Sequence, residues 1–270
     1  MGVSSMQATS RSIGVAYLLR GGDPDWANDC HRFVNSYLNF QAGITHQIYV
    51  ILKGFACVDD ESCAREIISP LHGSTIAVAD HSFDIGAYQD WALQISEDLI
   101  CFLNTGSEIL SDCWLHKLYM NLSDEDVGIV GATGSFERFG GHRLGFPKFP
   151  NPHIRTTACM LDRKLYLDAT HGKSFEDKMK TYLFESGHQS LTRIVKKLGL
   201  RAVIVGRNGR GYNEKHWAIS GTFRQGDQSN LLIGDRHTRG FNESSWTDKC
   251  KLTNSAWGTL RSNCTLYRWC

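Results

Sequence analysis

The sequence predicts an α/β fold with a mainly parallel central sheet flanked by helices and a C-terminal extension. Three observations predict it. Short apolar runs recur at residues 13–19, 47–52, 75–79, 99–103, 127–130 and 202–205. Between them lie segments whose apolar residues follow helical spacing. The connections are too long for hairpins, so successive strands are joined by crossovers and run parallel.

Taken in order, the first run ends in the turn Arg20-Gly21-Gly22-Asp23-Pro24. Trp26, Cys30, Phe33, Val34, Tyr37 and Leu38 then mark a helix over 26–40. The second strand stops before Gly54, and a helix over 63–71 ends near Pro70. The third strand leads into Asp80-His81-Ser82-Phe83-Asp84-Ile85-Gly86-Ala87, with a helix over 88–95. A helix over 114–122 separates the fourth and fifth strands. Residues 139–152 form a Gly- and Pro-rich loop, of a length that is usually functional. A strand over 154–161 and a helix over 163–169 follow. The next helix covers 174–183, with Glu176 and Asp177 in its first turn, and breaks at Phe184-Glu185-Ser186-Gly187. A helix over 189–198 carries Lys196 and Lys197 at its end and stops at Gly199. This gives a flexible leader over 1–12, one α/β domain over 13–207, and an extension over 208–270 packed on that domain.

Composition excludes several function classes. The 270 residues are 41% hydrophobic and 21% charged, ample for a large core. A net charge of +1 gives no bulk attraction to nucleic acid. No apolar run approaches a membrane span, and the polar N-terminus has no signal-peptide core. Nine cysteines, an odd number without a Cys-x-x-Cys pair, indicate reduced structural thiols. Cys57 and Cys63 lack a second pair at zinc-ribbon spacing, although His72 lies downstream. These features predict a cytoplasmic location. No nucleophile elbow, phosphate-binding loop or dinucleotide fingerprint follows a strand.

Ligands of open α/β sheets bind at the carboxyl ends of the strands, so the residues there are the candidates. Asp84 follows the third strand; it either accepts hydrogen bonds from a nucleobase or ribose, or caps the next helix. Asn104, Thr105, Ser107 and Glu108 end the fourth strand, with hydroxyl and amide groups suited to ribose or diphosphate and one acid able to meet a hard cation. Glu185, in a break between helices, is the candidate general base. Glu176 and Asp177 are explained by the helix dipole alone. His153 and Arg155 open a strand, Arg155 as an anion clamp or a surface ion pair. Downstream, His216, Trp217, Arg224 and Gln228 combine an aromatic face with amide and cationic groups; Arg224 and His216 are candidates for stabilising a leaving diphosphate, and the alternative is a structured loop anchored by Trp217.

Over residues 15–206 these pieces resemble, in order, the family-2-like GT-A-fold glycosyltransferases of bacterial polysaccharide biosynthesis. The matching segments are the first strand with Arg20, Asp84-Ile85-Gly86, Phe102-Leu103-Asn104, the strand from Arg155 to Leu161, and Phe184-Glu185 in place of the Glu-Asp motif. Trp217 and Asn230-Leu231-Leu232 resemble the tail of uncharacterised relatives. The resemblance implies a hexosyl or pentosyl transferase that moves a sugar from a nucleotide-diphosphate-sugar donor to a glycan or lipid-linked saccharide acceptor, with inversion. It implies donor contacts from Arg20, Asp84, Asn104, Thr105, Ser107 and Glu108, and acceptor or sugar contacts from His153, Arg155, Trp217 and Gln228. A peripheral position at the inner face of the membrane is compatible with such an acceptor. The family's Asp-x-Asp metal motif is replaced here by Asn104-Thr105-Gly106. That departure predicts that a divalent metal, Mg2+ or Mn2+, is not essential. It also leaves two other readings, a non-catalytic sugar-nucleotide-binding protein and a sugar nucleotidyltransferase.

Overall fold

A computed structural model describes residues 11–139 and 145–258. The chain runs through β1 (Ile13–Arg20), α1 (Trp26–Asn39), β2 (Gln47–Lys53), α2 (Val58–Ile68), β3 (Ser74–Val78), α3 (Asp84–Gln94) and β4 (Leu99–Leu103). It continues with β5 (Glu108–Ile109), α4 (Trp114–Leu122), β6 (Val127–Gly131), β7 (Gly134–Ser135), β8 (His153–Ile154) and β9 (Ala158–Asp162). Then come α5 (Arg163–Thr170), α6 (Lys178–Ser186), α7 (Leu191–Lys197), β10 (Arg201–Val205) and β11 (Gly211–Asn213). The chain closes with β12 (Ile233–Gly234), α8 (Arg236–Glu243) and α9 (Trp246–Trp257).

Eight strands form one sheet in the order β11-β10-β6-β9-β4-β1-β2-β3. β1 lies parallel to β2 and β4, β2 to β3, and β6 to β10. β9 is inserted antiparallel between β4 and β6, and β11 is an antiparallel edge. Successive strand residues feed opposite cores, which is why the runs are apolar throughout. Val15, Tyr17, Leu19, Cys101 and Leu103 meet α1, α2 and α4 on one face. Ala16, Leu18, Ile100 and Phe102 meet α3, α5, α7 and the C-terminal segment on the other.

The strand over 99–103 and the helix over 114–122 lie as the sequence predicts. Other boundaries differ for local reasons. The strand over 154–161 is split into β8 and β9 by a turn at Arg155-Thr156-Thr157. α2 starts five residues early, with Asp59, Asp60 and Glu61 complementing its N-terminal dipole. α6 spans 178–186 because Asp177 caps it, its carboxylate accepting from the Met179 amide at 2.8 Å. Glu185 therefore stands in the last turn of α6, and the expected break before it does not occur. Asp177 is the cap and Glu176 lies outside the helix.

Residues 1–10 of the expected leader lie outside the described residues. Ser12 is tied down: its amide and hydroxyl donate to Asp98 at 2.9 and 2.8 Å. Residues 140–144 of the Gly/Pro-rich loop and 259–270, with Cys264, Trp269 and Cys270, also lie outside. In the C-terminal segment, Trp217 and Trp257 are wholly buried in the second core, and β12 pairs with β5. Among the described residues no helix is long and apolar enough to cross a membrane.

Candidate functional site

The carboxyl ends of β1 to β4 and the turn before β9 form one edge of the sheet, where most of the candidate residues meet. At the end of β4 the loop is closed on itself. The Asn104 amide donates to Ser107 Oγ at 2.9 Å, and Ser107 Oγ donates to Asn104 Oδ1 at 3.0 Å. Thr105 extends the β1–β4 ladder beyond its last pair, Tyr17 with Leu103. Its hydroxyl accepts from the Arg20 amide and donates to the Leu18 carbonyl, both at 3.0 Å. These are the two bonds a further strand residue would have made with its backbone. Thr105 and Ser107 are buried and engaged in the fold. The Nδ2 group of Asn104, partly exposed, has no hydrogen-bond partner among the described residues.

α8 lies against the same loop. The Gly106 carbonyl accepts from Arg239 at 2.9 Å, and a Cβ on Gly106 would come within 2.7 Å of Arg236 Cγ. Glu108 is ion-paired to Arg239 at 3.4 Å. Both arginines also hold the buried Asp29 of α1. Carbonyl, hydroxyl and amide groups remain where hard cations are usually held by carboxylates. The residues at this loop do not fit a divalent metal. Among the described residues no group of three or more His, Cys, Asp or Glu side chains is arranged to hold one.

Arg20, at the end of β1, is half-exposed between Asp23 at 3.2 Å and Asp80 at 3.5 Å. Lys53, at the end of β2, is buried and ion-paired with Asp80, and that ammonium holds the Asp80 pKa below the usual carboxylate range. Lys53 escaped the sequence reading because it ends a strand that is otherwise ordinary.

Asp84 begins α3, its Oδ1 accepting from the Ile85 amide at 3.0 Å. Burial, and then the nearby Glu185 carboxylate, push its pKa up to about 6. Gly86 is required there, since a Cβ would approach Ser82 Cβ to 2.6 Å. Glu185 Oε1 accepts from both the amide and the hydroxyl of Thr156, at 3.0 and 3.1 Å. Glu185 Oε2 has no partner among the described residues. His153 lies close by: its Nδ1 donates to the Asn151 carbonyl at 2.8 Å, which leaves Nε2 as the acceptor. Burial lowers the His153 pKa, and the Glu185 charge works against that.

Arg155 is buried and paired with Asp235, the N-cap of α8, at 2.8 Å. It lies 4.2 Å from the centre of the Phe223 ring, and Arg224 lies 4.7 Å from the same ring. Arg224 pairs with Glu137, and its buried Nε has no hydrogen-bond partner among the described residues. His237, exposed on the first turn of α8, has its pKa lowered by desolvation and then by Arg155. Asp235, His237 and Glu137 were missed by the sequence reading. The signal for the first two was the apolar run Leu231-Leu232-Ile233 ending in Gly234-Asp235-Arg236-His237, the same strand-to-polar pattern seen at Asn104.

The rest of the downstream group separates. His216 is exposed on the short turn after β11, and no hydrogen bond or ion pair joins its side chain to Glu185, Asp84 or Asn104. Trp217 is a core residue whose indole donates to the Tyr212 carbonyl at 2.8 Å, so it has no free face for a sugar. Gln228 is buried; its Nε2 donates to the Thr238 carbonyl and to Asn242, and its Oε1 accepts from the Arg224 amide at 2.9 Å. Gln228 fixes a loop in which Arg224 and Gln228 itself take left-handed backbone conformations, φ 51° and 54°.

No protein-family profile matches the sequence, and no curated protein matches it. Solved structures do match. A mannosyltransferase of Pyrobaculum calidifontis, in complex with GDP-mannose and Mn2+, aligns over 95% of this chain and 77% of its own, with TM-score 0.51 and 11% identity. The chain has a GT-A-like fold. The 4-diphosphocytidyl-2C-methyl-D-erythritol synthase of Anaerococcus prevotii aligns over 72% of this chain and 88% of its own, at TM-score 0.47 and 12% identity. GalNAc-T7, with UDP, GalNAc and Mn2+, aligns over 72% of this chain but only 42% of its own, at TM-score 0.48 and 11% identity.

Proposed function

We propose that this protein is a glycosyltransferase that moves a sugar from a nucleotide-diphosphate donor to an acceptor hydroxyl with inversion, and that Glu185 is the general base. The observation that carries this reading is the Glu185 carboxylate. Thr156 holds one of its oxygens in place and leaves the other unpartnered, beside Asp84, at the sheet edge where α/β folds bind ligands. In a single displacement the acceptor oxygen attacks the sugar C1 while the C1–oxygen bond to the diphosphate breaks. The hydroxyl proton passes to the free oxygen of Glu185 and the electron pair leaves on the diphosphate.

The donor side is assigned to Arg20, Asp84 and the free amide of Asn104. Arg155 and Arg224, both against the Phe223 ring, are assigned to the leaving group. The one carboxylate of the β4 loop, Glu108, is ion-paired to Arg239, so the donor diphosphate is assigned to cationic side chains. Acceptors of the glycan or lipid-linked kind, bacterial polysaccharide biosynthesis and a cytoplasmic location remain part of the proposal.

Thermal shift with a panel of UDP-, GDP- and dTDP-sugars tests the reading, since a ligand at 100 times its Kd stabilises the folded state by ~2.7 kcal/mol. One donor class should raise Tm equally with EDTA or Mn2+. Stabilisation by a nucleoside triphosphate and by no sugar nucleotide would favour nucleotidyl transfer instead. A donor response abolished by EDTA and restored by Mn2+ would show the metal assignment to be wrong.

A further inference from the structure

The third residue of the Asn104-Thr105-Gly106 triplet is glycine, and Arg236 of α8 fills the space a side chain there would need. A Cβ on Gly106 would lie 2.7 Å from Arg236 Cγ and 3.3 Å from its Cδ and Nε. An aspartate at position 106 and an arginine at 236 therefore exclude each other unless α8 shifts. Where the triplet carries no carboxylate, the stem of a guanidinium side chain lies against it.

Arg236 is held in that position. Its Nε donates to the buried Asp29, and its Nη1 donates to Asp23 Oδ2 at 2.8 Å. The other oxygen of Asp23 accepts from Arg20 Nη1 at 3.2 Å. One carboxylate thus sets two guanidinium groups side by side, between the end of β1 and the loop after β4. Two of the five Arg236 N–H groups are used, and the other three have no hydrogen-bond partner among the described residues. The side chains of Arg236 and Arg20 remain 41% and 42% exposed. Around them Arg32, Arg239 and Lys53 meet Asp29, Glu108 and Asp80, so that with Asp23 the network holds five cations and four acids. Guanidinium groups with free N–H donors match phosphate oxygens in geometry and charge, and here they are ordered before a ligand arrives.

Resting on the glycosyl-transfer reading above, we propose that Arg236, together with Arg20, binds the diphosphate of the donor and supplies the positive charge that a carboxylate-bound metal would otherwise bring. The C-terminal segment thereby contributes a donor-binding residue, and glycine at position 106 admits it. In the displacement described above, its charge meets the electron pair that leaves with the diphosphate. Calorimetry in EDTA with UDP, GDP and dTDP, and with the matching monophosphates, tests this on the wild-type chain and on Arg236→Gln. In the wild type, the nucleoside that binds should bind at least tenfold more tightly as its diphosphate than as its monophosphate. Added Mn2+ should leave that ratio within twofold. In Arg236→Gln the diphosphate should lose at least tenfold in affinity while the monophosphate stays within threefold. Equal losses for the two would mean that Arg236 only supports the fold, and an unchanged diphosphate affinity would mean that it meets no phosphate. Either result overturns the proposal and leaves the glycosyl-transfer reading standing. If Arg236→Gln does not fold, the wild-type ratio is the test: a diphosphate preference that is absent in EDTA, or that appears only with Mn2+, overturns the proposal. A wild-type chain that binds none of these nucleotides would overturn the glycosyl-transfer reading, and the role of Arg236 with it.

Discussion

The loop after β4 and the corner where α6 meets the turn before β9 sit on the same sheet edge and use their polar groups in opposite ways. In the β4 loop, Thr105 and Ser107 are buried and bonded to backbone, and α8 covers Gly106. In the α6 corner, Thr156 bonds one oxygen of Glu185 and leaves the other free, and the Glu185 charge, after burial, helps to raise the pKa of the neighbouring Asp84. Polar residues in one loop complete the fold; in the other they orient a group and leave it unsatisfied. Chemistry is expected where a positioned, partly buried group lacks its last partner. The position of a motif along the chain does not distinguish the two cases, and its hydrogen bonds do.

The comparison breaks if Thr105 proves dispensable to folding. Thr105→Val keeps the shape and removes both ladder bonds, leaving the Arg20 amide and Leu18 carbonyl unpaired. A buried group left unsatisfied costs ~1–3 kcal/mol, so urea denaturation should show a loss of at least that size. Wild-type stability in Thr105→Val would mean the loop is free to serve a ligand.

A smaller effect sharpens the other half. Asp84 has its pKa raised to about 6 in the folded chain, above its ordinary value of 3.8. The folded state therefore binds more protons than the unfolded state between these values, and stability falls as pH rises from about 4 to 6. The total is at most about 3 kcal/mol, at ~1.36 kcal/mol per pKa unit. Asp84→Asn should flatten that part of the stability–pH curve. An equal slope in wild type and variant would mean that Asp84 is not buried with a raised pKa in the folded chain. The smallest effect belongs to His216→Ala, an exposed change expected to alter stability by less than ~0.5 kcal/mol and to leave turnover unchanged. A large loss of turnover would bring the turn after β11 back into the site.

Much of the fold was legible in the sequence because each strand is apolar over its whole length and ends at small or polar residues. The fourth strand is the clearest case, from Leu99 to Leu103 with Asn104 beyond it. The start of α6 was misread because Ser174 looks like a cap, while the cap that operates is Asp177. Its end was misread as well: the helix was expected to stop at Leu183 and runs to Ser186, which is why Glu185 was placed in a break. Its proximity to Asp84 and Thr156 is long-range and has no signature in the chain. Trp217 and Gln228 were read as sugar contacts because an aromatic beside amides has the same composition in a binding site and in a core. Only burial separates them. Asp235 and His237 were missed because they follow the short strand β12, whose partner β5 is also two residues long.

The central claim is that Glu185 takes the acceptor proton, and the Glu185→Gln variant tests it most directly. With a confirmed donor and acceptor, kcat should fall by about 10²–10⁴-fold, the usual contribution of a positioned general base, while the Kd for the donor stays within twofold. The glutamine keeps the Thr156 hydrogen bonds and lacks only basicity. Unchanged kcat in Glu185→Gln, with donor affinity also unchanged, would contradict the account.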